Sequence, residues 1–159
     1  MGAMRATVKA GLEAPTGTLP GPIKLKTKAH DVHQSALKQE GTARKAIGLV
    51  SAYALAGSEE NARGHLLITA PTGGCAGVMP AVLYSLGGVG AKLPEDDIHK
   101  GLLAGLVVGY LCKHNATLSA AAGRCQSEIG VASAMGAAII SRAYGRASAS
   151  RREGCRRRS

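Results

Sequence analysis

The sequence of 159 residues is long enough for one domain with its own core. Its apolar share is 45%, yet it has no Phe and no Trp, which favours closely packed helices over a sheet built on aromatic side chains. The formal net charge is +10, and residues 142–159 supply +6 of it through seven arginines and one acid. The other 141 residues carry about +4, an ordinary value for a soluble domain, so the charge describes a tail and argues against a folded nucleic-acid-binding face.

The first third of the chain predicts an arm followed by a helix. Residues 1–33 predict an extended N-terminal arm, because Pro20-Gly21-Pro22 breaks helices and the residues after it alternate in polarity. Residues 34–57 predict a helix, since apolar residues recur every three or four positions. Gly41 and Gly48 weaken that helix by about 1 kcal/mol each relative to Ala. Residues 65–70 fit either a short strand or a buried helical turn.

The rest of the chain predicts three helices separated by glycine-rich or polar loops. They cover residues 78–86, 95–113 and 127–144, and the apolar run 101–112 predicts a buried core helix. Residues 114–125 predict a polar loop. The sequence thus predicts an all-α fold, with a helical domain over 34–145. Residues 146–159 predict a basic, disordered tail, because they lack an apolar face.

The four cysteines predict thiols rather than a disulfide framework. The amino terminus has no apolar signal segment, so we expect a cytoplasmic protein with reduced thiols. Cys112, inside the apolar run, predicts a buried inert thiol, and Cys75 a turn residue at a helix start. Cys125, between a loop and a helix, is a plausible metal ligand. The cysteine spacing by itself does not predict an iron–sulfur site.

Two polar loops are candidates for binding. Residues 70–77 form a glycine-rich loop before a helix, which fits either anion contact or a simple tight turn, and we favour the turn. Residues 113–119 with 125–128 place many donors and acceptors between apolar helices. They fit either a polar pocket or helix capping by Asn115 or Ser127, and residue types alone favour capping.

The same loops carry a family resemblance. The runs Ser58–Ala62 and Thr69–Gly74 are followed by Gly77–Leu83, Lys113–Ser119 and Cys125–Ala132. In this order they resemble the alpha region of iron–sulfur-dependent L-serine dehydratases (L-serine ammonia-lyases). The resemblance covers about residues 8–145. It implies a helical catalytic domain of the serine dehydratase alpha type that holds a [4Fe–4S] cluster and converts L-serine to pyruvate and ammonia.

The resemblance also implies roles for single residues. Cys125 matches a cluster ligand of the family, and the substrate-side blocks of the family match Thr72, Gly73, Gly74, Asn115, Thr117 and Ser119. The family continues to further cluster cysteines in Cys-Asp-Pro and Pro-Cys stretches, where this chain turns into its Arg-rich tail. The abrupt change near Gly145 indicates a truncated or frame-shifted reading frame. We therefore expect an incomplete site, with no stable cluster and little activity in this chain alone.

The family resemblance and the basic tail each predict binding partners. L-serine is the expected substrate, and a homo-oligomer or a partner chain is expected to supply missing parts. The alternative function is a non-catalytic helical protein whose basic tail binds nucleic acid or another anion. The sequence argues against nucleic acid, because the charge lies in a tail with few aromatic residues for stacking. No membrane association is expected.

Overall fold

A computed structural model describes residues 1–68, 72–73, 76–88, 92–115 and 120–156, with side chains of 120–126 and 146–156 left out. This part of the chain is all-α, as the sequence predicts, and an isolated antiparallel bridge between Thr18 and Lys26 is its one β feature. The helices are α1 Gly2–Glu13, α2 Ala29–Lys38, α3 Thr42–Ala62, α4 Val78–Gly87, α5 Glu95–Asn115 and α6 Ala120–Arg156.

The described helices enclose two apolar clusters. The first cluster lies among α1, α2, α3 and α4, and centres on Val8, Leu49 and Tyr53. The second cluster lies among α1, α4, α5 and α6, and its largest fully buried members include Met79 and Ile139. Because α1 and α4 contribute side chains to both clusters, they join the two halves of the fold.

The extended arm predicted for residues 1–33 is wrong over residues 2–13, which form α1, and over residues 29–33, which begin α2. Met4, Val8 and Gly11 recur at helical spacing and are buried by the rest of the fold. Residues 17–27 do remain non-helical, in a turn closed by a hydrogen bond from the Leu19 N–H to the Leu25 carbonyl at 2.7 Å. Helical periodicity at the amino terminus therefore outweighs the prolines that follow it.

The single helix predicted for residues 34–57 is two helices. They separate at Gln39–Gly41, where Gly41 has a φ of 98°, a left-handed value that a side chain disfavours. The helices predicted at 78–86 and 95–113 are confirmed as α4 and α5, and the one at 127–144 is longer than predicted. Residues 120–125, assigned to a loop, are the first turns of α6, and residues 116–119 lie outside the described ranges.

The backbone of α6 is helical through Arg156. The disorder predicted for residues 146–159 stays a prediction.

The apolar run 101–112 is not the buried core helix that the sequence predicts. In the described structure α5 buries glycines on one side, and Leu102 and Val108 are half-buried against the core. The other large apolar side chains of the run are exposed.

No helix in the described part of the chain is long and apolar enough to cross a membrane.

Candidate substrate-binding site

Two buried carboxylates lie at the end of α3, just before the segment that leads to the glycine-rich loop. Glu59 and Glu60 are only 5% and 4% exposed, although they are charged. Buried carboxylates are costly unless they are paired or hydrogen-bonded, so their partners determine what this region does.

Glu59 closes the start of α2 from a neighbouring helix. Its Oε1 accepts hydrogen bonds from the Lys28 N–H at 2.6 Å and the Ala29 N–H at 3.0 Å. The first N–H groups of a helix have no partner within it, and the helix dipole favours an anion at this end. Lys28 occupies the N-cap position of α2, and its side chain makes no capping hydrogen bond. Glu59 of α3 therefore caps α2 in its place.

Glu60 holds the chain as it leaves α3. The Arg63 guanidinium donates to Oε1 at 2.9 Å, and His65 Nδ1 lies 2.6 Å from Oε2. The His65 backbone N–H also donates to the Glu60 carbonyl at 3.2 Å. Side chain and backbone of Glu60 thus both fix His65, which begins the segment running to the predicted substrate loop.

Close backbone contact fixes the other end of that loop. A Cβ atom at Gly57 would lie 3.1 Å from the Gly77 Cα, and one at Gly77 would lie 2.5 Å from the Ala54 carbonyl oxygen. Larger residues at these positions would push the start of α4 away from α3. The glycines therefore set the separation of the two helices between which residues 65–77 run.

The predicted substrate residues are only partly described. Gly73 is exposed, and its carbonyl accepts a hydrogen bond from the Ala76 N–H at 3.1 Å, which forms the tight turn favoured above. Thr72 is half-buried and has a partner within the protein. Gly74 lies outside the described residues, so the loop's full shape stays a prediction.

The second predicted block gives a similar outcome. Asn115 is the last residue of α5, and its Nδ2 donates to the Leu111 carbonyl at 2.9 Å. This hydrogen bond to the carbonyl four residues back is a local contact at the carboxyl end of α5, and it is not the helix-start cap that residue types favour. Thr117 and Ser119 lie outside the described residues. Cys125 lies on the helical backbone of α6, and its side chain is also outside them.

The described side chains do not provide the donor set of an iron–sulfur cluster. They include the thiol of Cys112, which is half-buried on α5 rather than buried as predicted. No group of three His, Cys, Asp or Glu side chains that could hold a metal ion occurs among them.

A cavity of about 570 Å³ lies elsewhere, among α1, α2 and α4. Its lining includes Lys9, His30, His33 and Tyr84 and none of the predicted site residues. Burial, and then the charge of His30, lower the pKa of His33, so this ring favours its neutral form. The sequence gives no signal for this pocket, because its lining residues are scattered over three helices and the loop after α1.

Comparison with known proteins decides the family. The family described as Serine dehydratase alpha chain matches residues 1–152. The chain belongs to this family. The loops around Glu60, Thr72 and Asn115 are therefore parts of a serine dehydratase alpha region, as their resemblance predicts.

Curated relatives give the extent of the match. The chain is 38% identical over 143 residues to an L-serine dehydratase of Streptomyces coelicolor, a match that covers 89% of the chain and 31% of the relative. It is 36% identical to one of Haemophilus influenzae, covering 89% and 32%, and 40% identical to one of Helicobacter pylori, covering 75% and 27%. The chain thus spans about a third of these relatives' length. No solved structure matches it significantly.

Proposed function

We propose that this chain is the substrate-binding part of an L-serine ammonia-lyase that works with a [4Fe–4S] cluster. In this reaction the α-proton and the β-hydroxyl of L-serine leave as water. The aminoacrylate that remains tautomerises to the imine, which one water molecule hydrolyses to pyruvate and ammonia. The observation that carries the proposal is the family match over nearly the whole chain, with relatives named L-serine dehydratase.

The residues of this chain are proposed to bind and orient L-serine. Asn115, Thr117 and Ser119 hold its carboxylate and amine through hydrogen bonds. The loop of Thr72, Gly73 and Gly74 contacts the substrate from the α3–α4 side, where backbone N–H groups in a glycine-rich turn suit an anion. Glu60 acts at one remove, because it fixes His65 and with it the approach to this loop.

Cys125 is the proposed cluster ligand in this chain. When bound, a cluster with one iron free of protein thiolate supplies a Lewis acid for the substrate hydroxyl. The remaining ligands are proposed to come from residues of the kind that the relatives carry outside the matched segment. The isolated chain is therefore expected to hold no stable cluster and to release little pyruvate. The expected site of action is the cytoplasm.

A chimera tests the proposal with a whole serine dehydratase. The matched segment of the Streptomyces coelicolor relative is replaced by the corresponding residues of this chain, and both chimera and isolated chain are reconstituted anaerobically with iron and sulfide. We expect the chimera to release pyruvate from L-serine and the isolated chain to release little. A folded chimera that takes up iron but releases no pyruvate would contradict the proposal. About four irons and pyruvate release in the isolated chain would contradict its incompleteness.

A further inference from the structure

The outer face of α5 is an apolar surface with no partner in the described structure. It consists of Leu103, Leu106, Val107, Tyr110 and Leu111, which are between 47% and 66% exposed. At 100° per residue these five side chains fall within an arc of roughly 140°. They form one contiguous stripe along the helix, which we call the outer face.

The opposite side of the same helix is fully packed. Gly101, Gly105 and Gly109 are buried there, against Ile139 and Met135 of α6. The segment Gly101–Cys112 contains no charged residue. A helix that is apolar all round is characteristically buried on all sides, so a single packed side leaves α5 half covered. A contiguous exposed stripe of five large apolar side chains is typical of an interaction surface.

We infer that the outer face binds an amphipathic helix from the part of the serine dehydratase polypeptide that lies outside the matched segment. More than two-thirds of the length of each relative lies outside it. This inference rests on family membership rather than on turnover of L-serine. It accounts for the apolar composition of α5, which one packed side does not explain.

The charges at the ends of α5 specify the orientation of the bound helix. The first turn carries Glu95, Asp96 and Asp97, and the last turn carries Lys113 and His114. Glu95 and Asp96 already pair with Arg5 and Lys100, so the last turn is the end that a bound helix complements. A helix that runs antiparallel to α5 brings the acids of its own first turn beside Lys113 and His114. The helix dipoles favour the same antiparallel arrangement.

A second copy of this chain fits the outer face less well. A symmetric antiparallel pair of α5 helices centred on Val107 would bring Lys100 of one copy opposite His114 of the other. This register aligns the two outer faces, but it places the acids of residues 95–97 of one copy beyond Asn115, the last residue of the partner's α5. The acids at one end of α5 therefore do not face Lys113 and His114 at the other, and the pair lacks the charge complementarity that a different helix can supply.

Thiol labelling tests the inference. Val107→Cys is introduced in a Cys112→Ala background, in the isolated chain and in the Streptomyces coelicolor chimera, and alkylation is followed by mass spectrometry. Labelling at position 107 is expected to slow at least about tenfold in the chimera, because a packed side chain must open before it reacts. The matched control, Arg44→Cys on exposed α3 surface, is expected to label at similar rates in both proteins.

Equal labelling rates at position 107 in the two proteins would overturn the inference, whether or not the chimera turns over L-serine. Slow labelling in the isolated chain, with a dimer in sedimentation velocity that Leu106→Glu dissociates, would assign the face to a second copy and also overturn it. If the chimera does not fold, the whole chain is co-expressed with the remaining polypeptide of the relative. A complex that survives Arg44→Glu but not Leu106→Glu supports the inference, and absence of any complex overturns it.

Discussion

The α2–α3 and α5–α6 helix pairs are specified by different means. In the first pair a buried carboxylate of α3, Glu59, caps the start of α2, and its neighbour Glu60 holds the chain that follows. In the second pair glycines of α5 let its backbone approach α6, so that a Cβ atom at Gly101 would lie 2.7 Å from the Ile139 carbonyl oxygen. The α2–α3 junction also needs a glycine, since a Cβ atom at Gly48 would lie 2.8 Å from the Ala36 Cβ, but only this junction depends in addition on buried charged groups being satisfied.

This difference separates the two regions by function as well. The polar junction of α3 holds the segment that leads to Thr72 and Gly73, and so positions a candidate binding loop. The glycine junction fixes the packing of α5 against α6. Asn115 is the last residue of α5, and the outer face lies along the same helix. Variants in the two regions should therefore fail in different ways.

The largest effect is expected from removing the carboxylate of Glu60. Glu60→Ala leaves the Arg63 guanidinium, which is 16% exposed, without its closest anion. We expect the free energy of unfolding to fall by about 3 kcal/mol, in line with loss of one partner from a buried pair. Urea unfolding measures it. Glu13→Ala, which removes an exposed pair with Lys9, is the control and should cost less than about 0.5 kcal/mol. Equal costs for the two variants would mean that Glu60 does not hold this junction.

Smaller effects, of opposite sign, are expected from alanine substitutions at two helical glycines. Gly101→Ala forces the backbones of α5 and α6 apart and should lower the free energy of unfolding by about 2 kcal/mol. Gly130→Ala, on α6, has open space around it and should raise that free energy by up to about 1 kcal/mol through helix propensity. Thermal unfolding of both variants separates steric from intrinsic effects. Stabilisation by Gly101→Ala would show that the two helices do not meet closely.

The smallest effect concerns pH and the α1–α2–α4 cavity. The pKa of His33 is lowered in the folded protein from its ordinary value of 6.5, so the unfolded chain binds more protons near and below that pH. The stability that neutral His33 allows is present above pH 6.5 and is lost as the pH falls below it. Urea unfolding at pH 7.5 and pH 5.5 should show a larger drop for the natural chain than for His33→Gln. Identical decreases in the free energy of unfolding would show that His33 does not cause the pH dependence.

The sequence predicts the helices with strong periodicity and misses features that depend on neighbours. Residues 78–87 and 95–115 follow directly from their apolar pattern and flanking glycines, and the family's loops are recognisable in order. The α1 helix is missed because Pro20-Gly21-Pro22 dominates the interpretation of the whole arm, although Met4 and Val8 have helical spacing. The buried side of α5 is mispredicted because an apolar run shows that a helix can be buried, not which partner buries it.

The candidate site follows the same division. The hydrogen bond from the Ala76 N–H to the Gly73 carbonyl is local, and residue types alone favour a turn there. The bond of Asn115 to the Leu111 carbonyl is local too, but the helix-start cap that residue types favour is not what the structure shows. The role of Glu59 depends on the start of a helix some 30 positions earlier, with which it shares no sequence pattern. The contact between His65 and Glu60 is likewise recognisable only from their distance in the structure. The contact between Glu60 and Arg63 has a sequence signal, because an acid and a base three residues apart on a helix lie side by side.

The most direct test of the central claim compares two cysteines in the reconstituted Streptomyces coelicolor chimera. Cys125→Ala is expected to lower the rate of pyruvate release from L-serine by at least about 100-fold. Mutation of a residue that only hydrogen-bonds to a metal ligand lowers activity by about 10- to 100-fold, so loss of the ligand itself should cost at least as much. Cys112→Ala, on the half-buried thiol of α5, is expected to leave the rate nearly unchanged. Iron content should fall with the rate in the first variant only. Equal rates in the two variants would contradict the claim that Cys125 joins this chain to the catalytic cluster.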